Sequence, residues 1–171
     1  IDTETGFDKV VVINAALGLG ESVVQGAVDP DEYQVFKPFL ENEKLTPIIE
    51  KACGAKELKV IYRDSGGTLQ VVTRDEERGK LVLLDDEILL LARWACAIES
   101  HYGVAMDMEW AKDGLSGELF VVQARPETVQ SRRGARNFKT YRVRAKGKVL
   151  ARGLSVGNAA AAGRVCRLDS P

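Results

Sequence analysis

Two short segments carry the clearest alternation in the chain. Met106-Asp107-Met108-Glu109-Trp110 and Leu119-Phe120-Val121-Val122-Gln123-Ala124-Arg125-Pro126 flank a glycine-containing link, Lys112-Asp113-Gly114-Leu115-Ser116-Gly117. Period-2 alternation around such a link predicts a β-hairpin with a longer loop. It places Met106, Met108 and Trp110 on one face and Asp107 and Glu109 on the other. On the second strand Phe120, Val122 and Ala124 share a face, opposite Val121, Gln123 and Arg125. Antiparallel pairing then sets Glu109 beside Gln123, with Arg125 one same-face step further on.

The rest of the chain reads as short strands with interleaved helices. The β-branched run Lys9-Val10-Val11-Val12-Ile13 predicts a buried strand. Asp29-Pro30-Asp31 is turn chemistry leading into a strand from Glu32 to Lys37. Thr46 before Pro47 predicts a helix running through Ile48, Ile49 and Ala52 to Gly54. Leu58 to Tyr62 and Leu69 to Thr73 read as two strands around the turn Arg63-Asp64-Ser65-Gly66-Gly67-Thr68. From about Asp86 to Tyr102, Leu84, Ile88, Leu91, Ala95, Ile98 and Tyr102 recur at helical spacing, with Asp85 or Asp86 as cap and Gly103 as stop. The fold class expected is α+β.

Charge divides the sequence. Residues 1–128 hold 13 Lys and Arg against 24 Asp and Glu, a balance of −11; residues 129–171 hold 11 against 1, a balance of +10. Together these give the net −1 of the whole chain. Such a reversal marks a boundary between units. The basic stretch with Arg132, Arg133, Arg136 and Lys139 reads as a linker over 129–140, and strands are expected at Tyr141 to Arg144 and Lys148 to Ala151. A nucleic-acid-binding tail is the rival explanation. The tail has little aromatic interleaving beyond Phe138 and Tyr141 and no recognisable nucleic-acid motif, so nucleic acid is not an expected partner. No apolar run is long enough to span a bilayer, so no membrane association is expected. Cys53, Cys96 and Cys166 are odd in number and widely spaced, which suits reduced thiols in a cytoplasmic protein. The chain opens at Ile1 on what reads as mid-domain sequence, and is taken as a fragment.

Candidate chemistry concentrates on the hairpin. Polar residues on a half-exposed hairpin read first as a solvated face. Yet the Glu109 carboxylate and the Gln123 amide oxygen are hard ligands suited to Mg²⁺, and the Arg125 guanidinium suits phosphate oxygens. Elsewhere, Gly18-Leu19-Gly20-Glu21-Ser22 lacks the lysine of a Walker loop, and Val23 stands where a dinucleotide fingerprint needs its third glycine. Its glycines read as a tight turn. His101, the only histidine, sits at a helix end, where a surface role beside the helix dipole is expected.

Asp107, Glu109 and Trp110, followed by Gln123-Ala124-Arg125-Pro126-Glu127-Thr128, resemble the end of the nucleotide-binding domain of the phosphoenolpyruvate synthase (pyruvate, water dikinase) family. So does the run Asn14-Ala15-Ala16-Leu17-Gly18-Leu19-Gly20-Glu21-Ser22-Val23-Val24-Gln25-Gly26-Ala27-Val28-Asp29-Pro30-Asp31-Glu32-Tyr33. The resemblance implies that residues 1–128 are the C-terminal part of an ATP-grasp-like nucleotide-binding domain. Residues 141–171 would be the first β-strands of the mobile phosphohistidine domain, on the weaker likeness of Gly153-Leu154-Ser155-Val156-Gly157 and Gly163-Arg164-Val165-Cys166-Arg167-Leu168, with the histidine motif absent. It assigns Glu109 and Gln123 to Mg²⁺ and all three of Glu109, Gln123 and Arg125 to the nucleotide. Glu21 joins the cleft wall without an assigned role, and no catalytic residue falls in this stretch.

The activity implied for the intact enzyme, a cytoplasmic homo-oligomer, has three steps. ATP transfers a pyrophosphoryl group to a histidine, the γ-phosphate is lost to water, and the phosphohistidine phosphorylates pyruvate through a domain this sequence lacks. AMP, phosphate and phosphoenolpyruvate result, and the isolated chain is expected to be inactive. Rifampicin phosphotransferases and pyruvate, phosphate dikinase are the alternatives within the same domain type, and a non-catalytic nucleotide-binding or interaction module is the alternative of another class.

Overall fold

The computed structural model describes residues 2, 6–24, 26–42 and 44–127, and singly 148, 150, 162–164 and 166. The expected basic linker at 129–140, and the strands and second domain expected beyond it, lie outside the described residues apart from those isolated positions. Within the described residues the chain is α+β, as the pattern predicts.

One three-stranded antiparallel sheet organises it, in the order β1-β2-β3: β1 spans Val10–Ala15, β2 Asp31–Phe36 and β3 Ile48–Ala52. Alternation sends Val11, Ile13 and Ala15 of β1, with Tyr33 and Val35 of β2, to one face, where they are buried together with Leu40, Leu83, Ile88, Leu91 and Ala92. The last three belong to the long helix α3, Asp85–Tyr102, which packs across that face. Its 18 residues extend about 27 Å, longer than the five- and six-residue strands beneath it. The overhang explains why Tyr102, expected on the apolar face, is 59% exposed.

The start of α3 also departs from expectation. Neither Asp85 nor Asp86 caps it. Leu84 occupies the N-cap position in extended backbone, and the Glu87 carboxylate accepts a hydrogen bond from the Leu84 amide at 2.9 Å, one half of a capping box. Leu84 therefore lies outside the helical turn and is 70% exposed. At the other end Gly103, at φ +70°, closes the helix in the left-handed conformation that glycine tolerates best.

The helix expected after Pro47 is instead β3. Ile48 pairs with Val35 of β2, Glu50 with Gln34 and Lys51 with Tyr33, and the Pro47 carbonyl accepts from the Phe36 amide at 2.8 Å. The segment before Gly54 is too short for a stable helix, while its β-branched isoleucines suit a sheet edge. Two hairpins complete the described chain. One joins β4, Leu58–Tyr62, to β5, Thr68–Val72; the other joins β6, Met106–Lys112, to β7, Leu119–Pro126. Short helices α1, Glu21–Val24, and α2, Asp75–Arg78, fill the connections.

A buried ion pair ties the loops to the sheet. Lys56 and Asp31 are both fully buried and bonded to each other. The Asp31 carboxylate also accepts from the Gly54 amide at 2.9 Å, the Val82 amide at 2.7 Å and the Tyr33 hydroxyl at 3.2 Å. Lys56 takes the left-handed φ of +42°, unusual for a residue with a side chain. The approach is so close that a Cβ on Gly54 would stand 2.2 Å from the Pro30 carbonyl oxygen.

Candidate functional site

The β6–β7 hairpin brings the three sequence-predicted residues onto one face. Glu109 lies directly across from Gln123, and Asp107 directly across from Arg125. Side chains two apart on a strand share a face, so a carboxylate, an amide and a guanidinium project together. Glu109, Gln123 and Arg125 are all exposed.

Asp107 adds a contact that the pattern alone did not assign. Its Oδ2 accepts from the Arg125 Nε at 2.9 Å and from Nη2 at 2.7 Å. Hydrogen bonding to Asp107 raises the already high guanidinium pKa, with a smaller push from Glu109, so Arg125 is a fixed positive charge. The side chains remain 65% and 49% exposed, so the pair stays open to solvent. Asp107 was legible in principle, because alternation puts it on the same face as Glu109.

The strict alternation expected along β7 breaks once. Cα partners run from Glu109 with Gln123 to Trp110 with Val121, leaving Val122 as an extra residue opposite that step. This is a β-bulge, which bends a strand and increases its local twist. Below it Val121 comes opposite Trp110, and Leu119 opposite Lys112. Val121 therefore does not continue the Gln123 face as alternation predicted. Trp110 and Leu119 pack half-buried against the core, and Lys112 pairs with Glu87 of α3 at 2.5 Å. The hairpin thus has an anchored half and a projecting half.

Its loop is self-supported. The Asp113 carboxylate accepts from the Ser116 and Leu115 amides at 2.6 and 2.9 Å, which lowers its pKa. The Gly117 amide donates back to the Asp113 carbonyl, with Gly117 at φ +75°.

The Gly18-Leu19-Gly20 segment serves backbone packing. Gly18 bridges Val60 of β4, and the Leu19 amide donates to the Val60 carbonyl at 2.8 Å. A Cβ on Gly18, at φ +81°, would meet that carbonyl oxygen at 2.3 Å. Glu21 and Ser22 line a shallow cleft with Ala27, Val60, Thr68 and Gln70, whose walls include none of Glu109, Gln123 and Arg125. His101 is exposed at the end of α3, its ring edge-on to Tyr102 at 4.9 Å. The three cysteines are free thiols. No helix among the described residues is long and apolar enough to cross a membrane.

The family described as pyruvate phosphate dikinase, AMP/ATP-binding domain, matches residues 1–145. The chain belongs to that AMP/ATP-binding family. Relatives include phosphoenolpyruvate synthases from Synechocystis sp., 55% identical over 173 residues, and from Aquifex aeolicus, 48% identical over 176. The phosphoenolpyruvate synthase of Escherichia coli is 44% identical over 169 residues. Each alignment covers 96% of this chain and 20–21% of the relative. The chain therefore spans about a fifth of the length of these curated relatives of the AMP/ATP-binding family.

Proposed function

We propose that this chain supplies part of the Mg²⁺–ATP cleft of a phosphoenolpyruvate synthase, within an ATP-grasp-like domain. The intact enzyme would convert ATP, pyruvate and water to AMP, phosphoenolpyruvate and phosphate. In this reading Glu109 and Gln123 hold Mg²⁺, and Arg125 holds the nucleotide phosphates. The observation that carries it is the cross-strand register of Glu109 with Gln123, beside a guanidinium already oriented by Asp107. Two exposed oxygen donors fit a cation that keeps waters and substrate phosphates in most of its coordination shell. The cation would supply charge neutralisation at the phosphates. Arg125 then adds a directional donor pair, which a lysine could not reproduce.

Glu109→Gln in the intact protein tests this. Phosphoenzyme formation from Mg²⁺–ATP should fall by about a hundredfold or more, while exchange between phosphoenolpyruvate and pyruvate continues at its normal rate. Labelling with ATP carrying a radioactive β-phosphate measures the first, and isotope exchange the second. Normal labelling by the variant would make Glu109 an ordinary surface carboxylate.

A further inference from the structure

The hairpin changes character at one step. On the loop side of Glu109, Trp110 and Leu119 pack half-buried against the core. There Lys112 reaches Glu87, whose side chain is 17% exposed and whose carboxylate bonds the Leu84 amide through its other oxygen. Burial pushes the Glu87 carboxyl up, but the Lys112 ammonium and the Leu84 amide outweigh it and the net shift is downward, so Glu87 holds Lys112 as an anion. On the other side of the step every residue of the candidate site projects into solvent. Val122 sits at the junction, 65% exposed, with no counterpart on β6.

A flat two-stranded ribbon would carry Glu109, Gln123 and Arg125 in the plane set by its anchored half. An extra residue in one strand bends and twists the ribbon at that point, re-aiming what lies beyond. The bend is useful only if the near half is held against a rigid body, and α3 provides that hold through Glu87 and Lys112. Removing Val122 leaves the facing of the site intact. In an uninterrupted ladder Trp110 would still oppose Val121 and Glu109 would still oppose Gln123, so only the twist would change.

We propose that the Val122 bulge, braced by the Lys112–Glu87 pair beneath it, is the device that aims the Glu109–Gln123–Arg125 face at the nucleotide phosphates. This inference rests on the Mg²⁺–ATP reading of the hairpin. Val122 and Lys112 are positioning residues here; neither touches the ligand.

The test uses the intact protein and five variants, with Mg²⁺–ATP binding measured calorimetrically beside thermal unfolding. Deleting Val122 should weaken Mg²⁺–ATP binding by about tenfold or more. Val122→Thr keeps the extra residue and should bind within about twofold of the parent, as a surface substitution does. Lys112→Met should weaken binding about two- to fivefold, and Lys112→Arg should restore it. If the deletion does not fold, the Lys112 pair of variants decides alone. Normal Mg²⁺–ATP binding by the folded deletion variant, or by Lys112→Met, overturns the proposal when Glu109→Gln binds poorly. Normal binding by Glu109→Gln overturns it at its foundation, and with it the metal site itself.

Discussion

Asp31–Lys56 and Asp107–Arg125 are both carboxylate–cation pairs, and the fold uses them in opposite ways. The first is fully buried, and its carboxylate receives three further donors from β2 and two separate loops. The second lies on an open ribbon with about half of the Asp107 side chain and more of the Arg125 side chain in solvent. Burial makes the first pair a constraint, because neither charge can lose its partner without standing alone in a low-dielectric interior. Exposure makes the second pair exchangeable, because water or a ligand oxygen can replace either partner at small cost. The exposed pair therefore leaves Arg125 able to exchange partners, on a frame secured by the buried one.

The largest expected effect breaks the buried pair. Lys56→Met should lower stability by about 3–5 kcal/mol, read from urea unfolding followed at Trp94 and Trp110. Adding Asp31→Asn to that variant should recover part of the loss, since no isolated carboxylate then remains. A loss below about 1 kcal/mol would make this pair equivalent to a surface one.

Glu77 offers an intermediate case. The Arg74 guanidinium first, and the Lys59 ammonium next, hold its carboxyl down to about 2. Its folded pKa lies below the ordinary glutamate value of about 4.3. The stabilisation it gives is therefore present above that value and is lost as pH falls through the folded pKa near 2. The Glu77 carboxyl carbon, followed by NMR, should titrate well below the ordinary glutamate value of about 4.3, and Lys59→Met should raise its midpoint. A midpoint at the ordinary glutamate value would dissolve the intermediate category.

The smallest effect on the frame comes from the exposed pair. Asp107→Asn should change stability by less than about 1 kcal/mol, while loosening the hold on the Arg125 guanidinium. Destabilisation as large as that of Lys56→Met would show that the hairpin pair is structural after all.

The contrast also separates what sequence reveals from what it hides. The hairpin was legible because its information is local: alternation, a glycine-containing loop and a cross-strand register lie within residues 106–126. Even so, the bulge at Val122 escaped, since period-2 counting has no term for an inserted residue. The strands at Val10–Ala15, Leu58–Tyr62 and Thr68–Val72 and the helix at Asp85–Tyr102 followed from local pattern, as did the Gly103 stop. The segment after Pro47 did not, because a proline-led helix start outweighed two isoleucines until the free edge of β2 claimed them. Lys56 carries no local signal at all. Its partner stands 25 residues earlier, and a lysine in a short loop between strands reads as surface. The family resemblance that singled out Glu109, Gln123 and Arg125 came from motif identity, which geometry then set on one face.

Glu87 has one further consequence. A single carboxylate terminates α3 through one oxygen and grips the hairpin through the other, so fraying of the first helical turn and detachment of the ribbon share one opening event. The Leu84 amide proton is shielded only while that carboxylate stays in place. Its exchange with deuterium therefore keeps time with the hairpin's release.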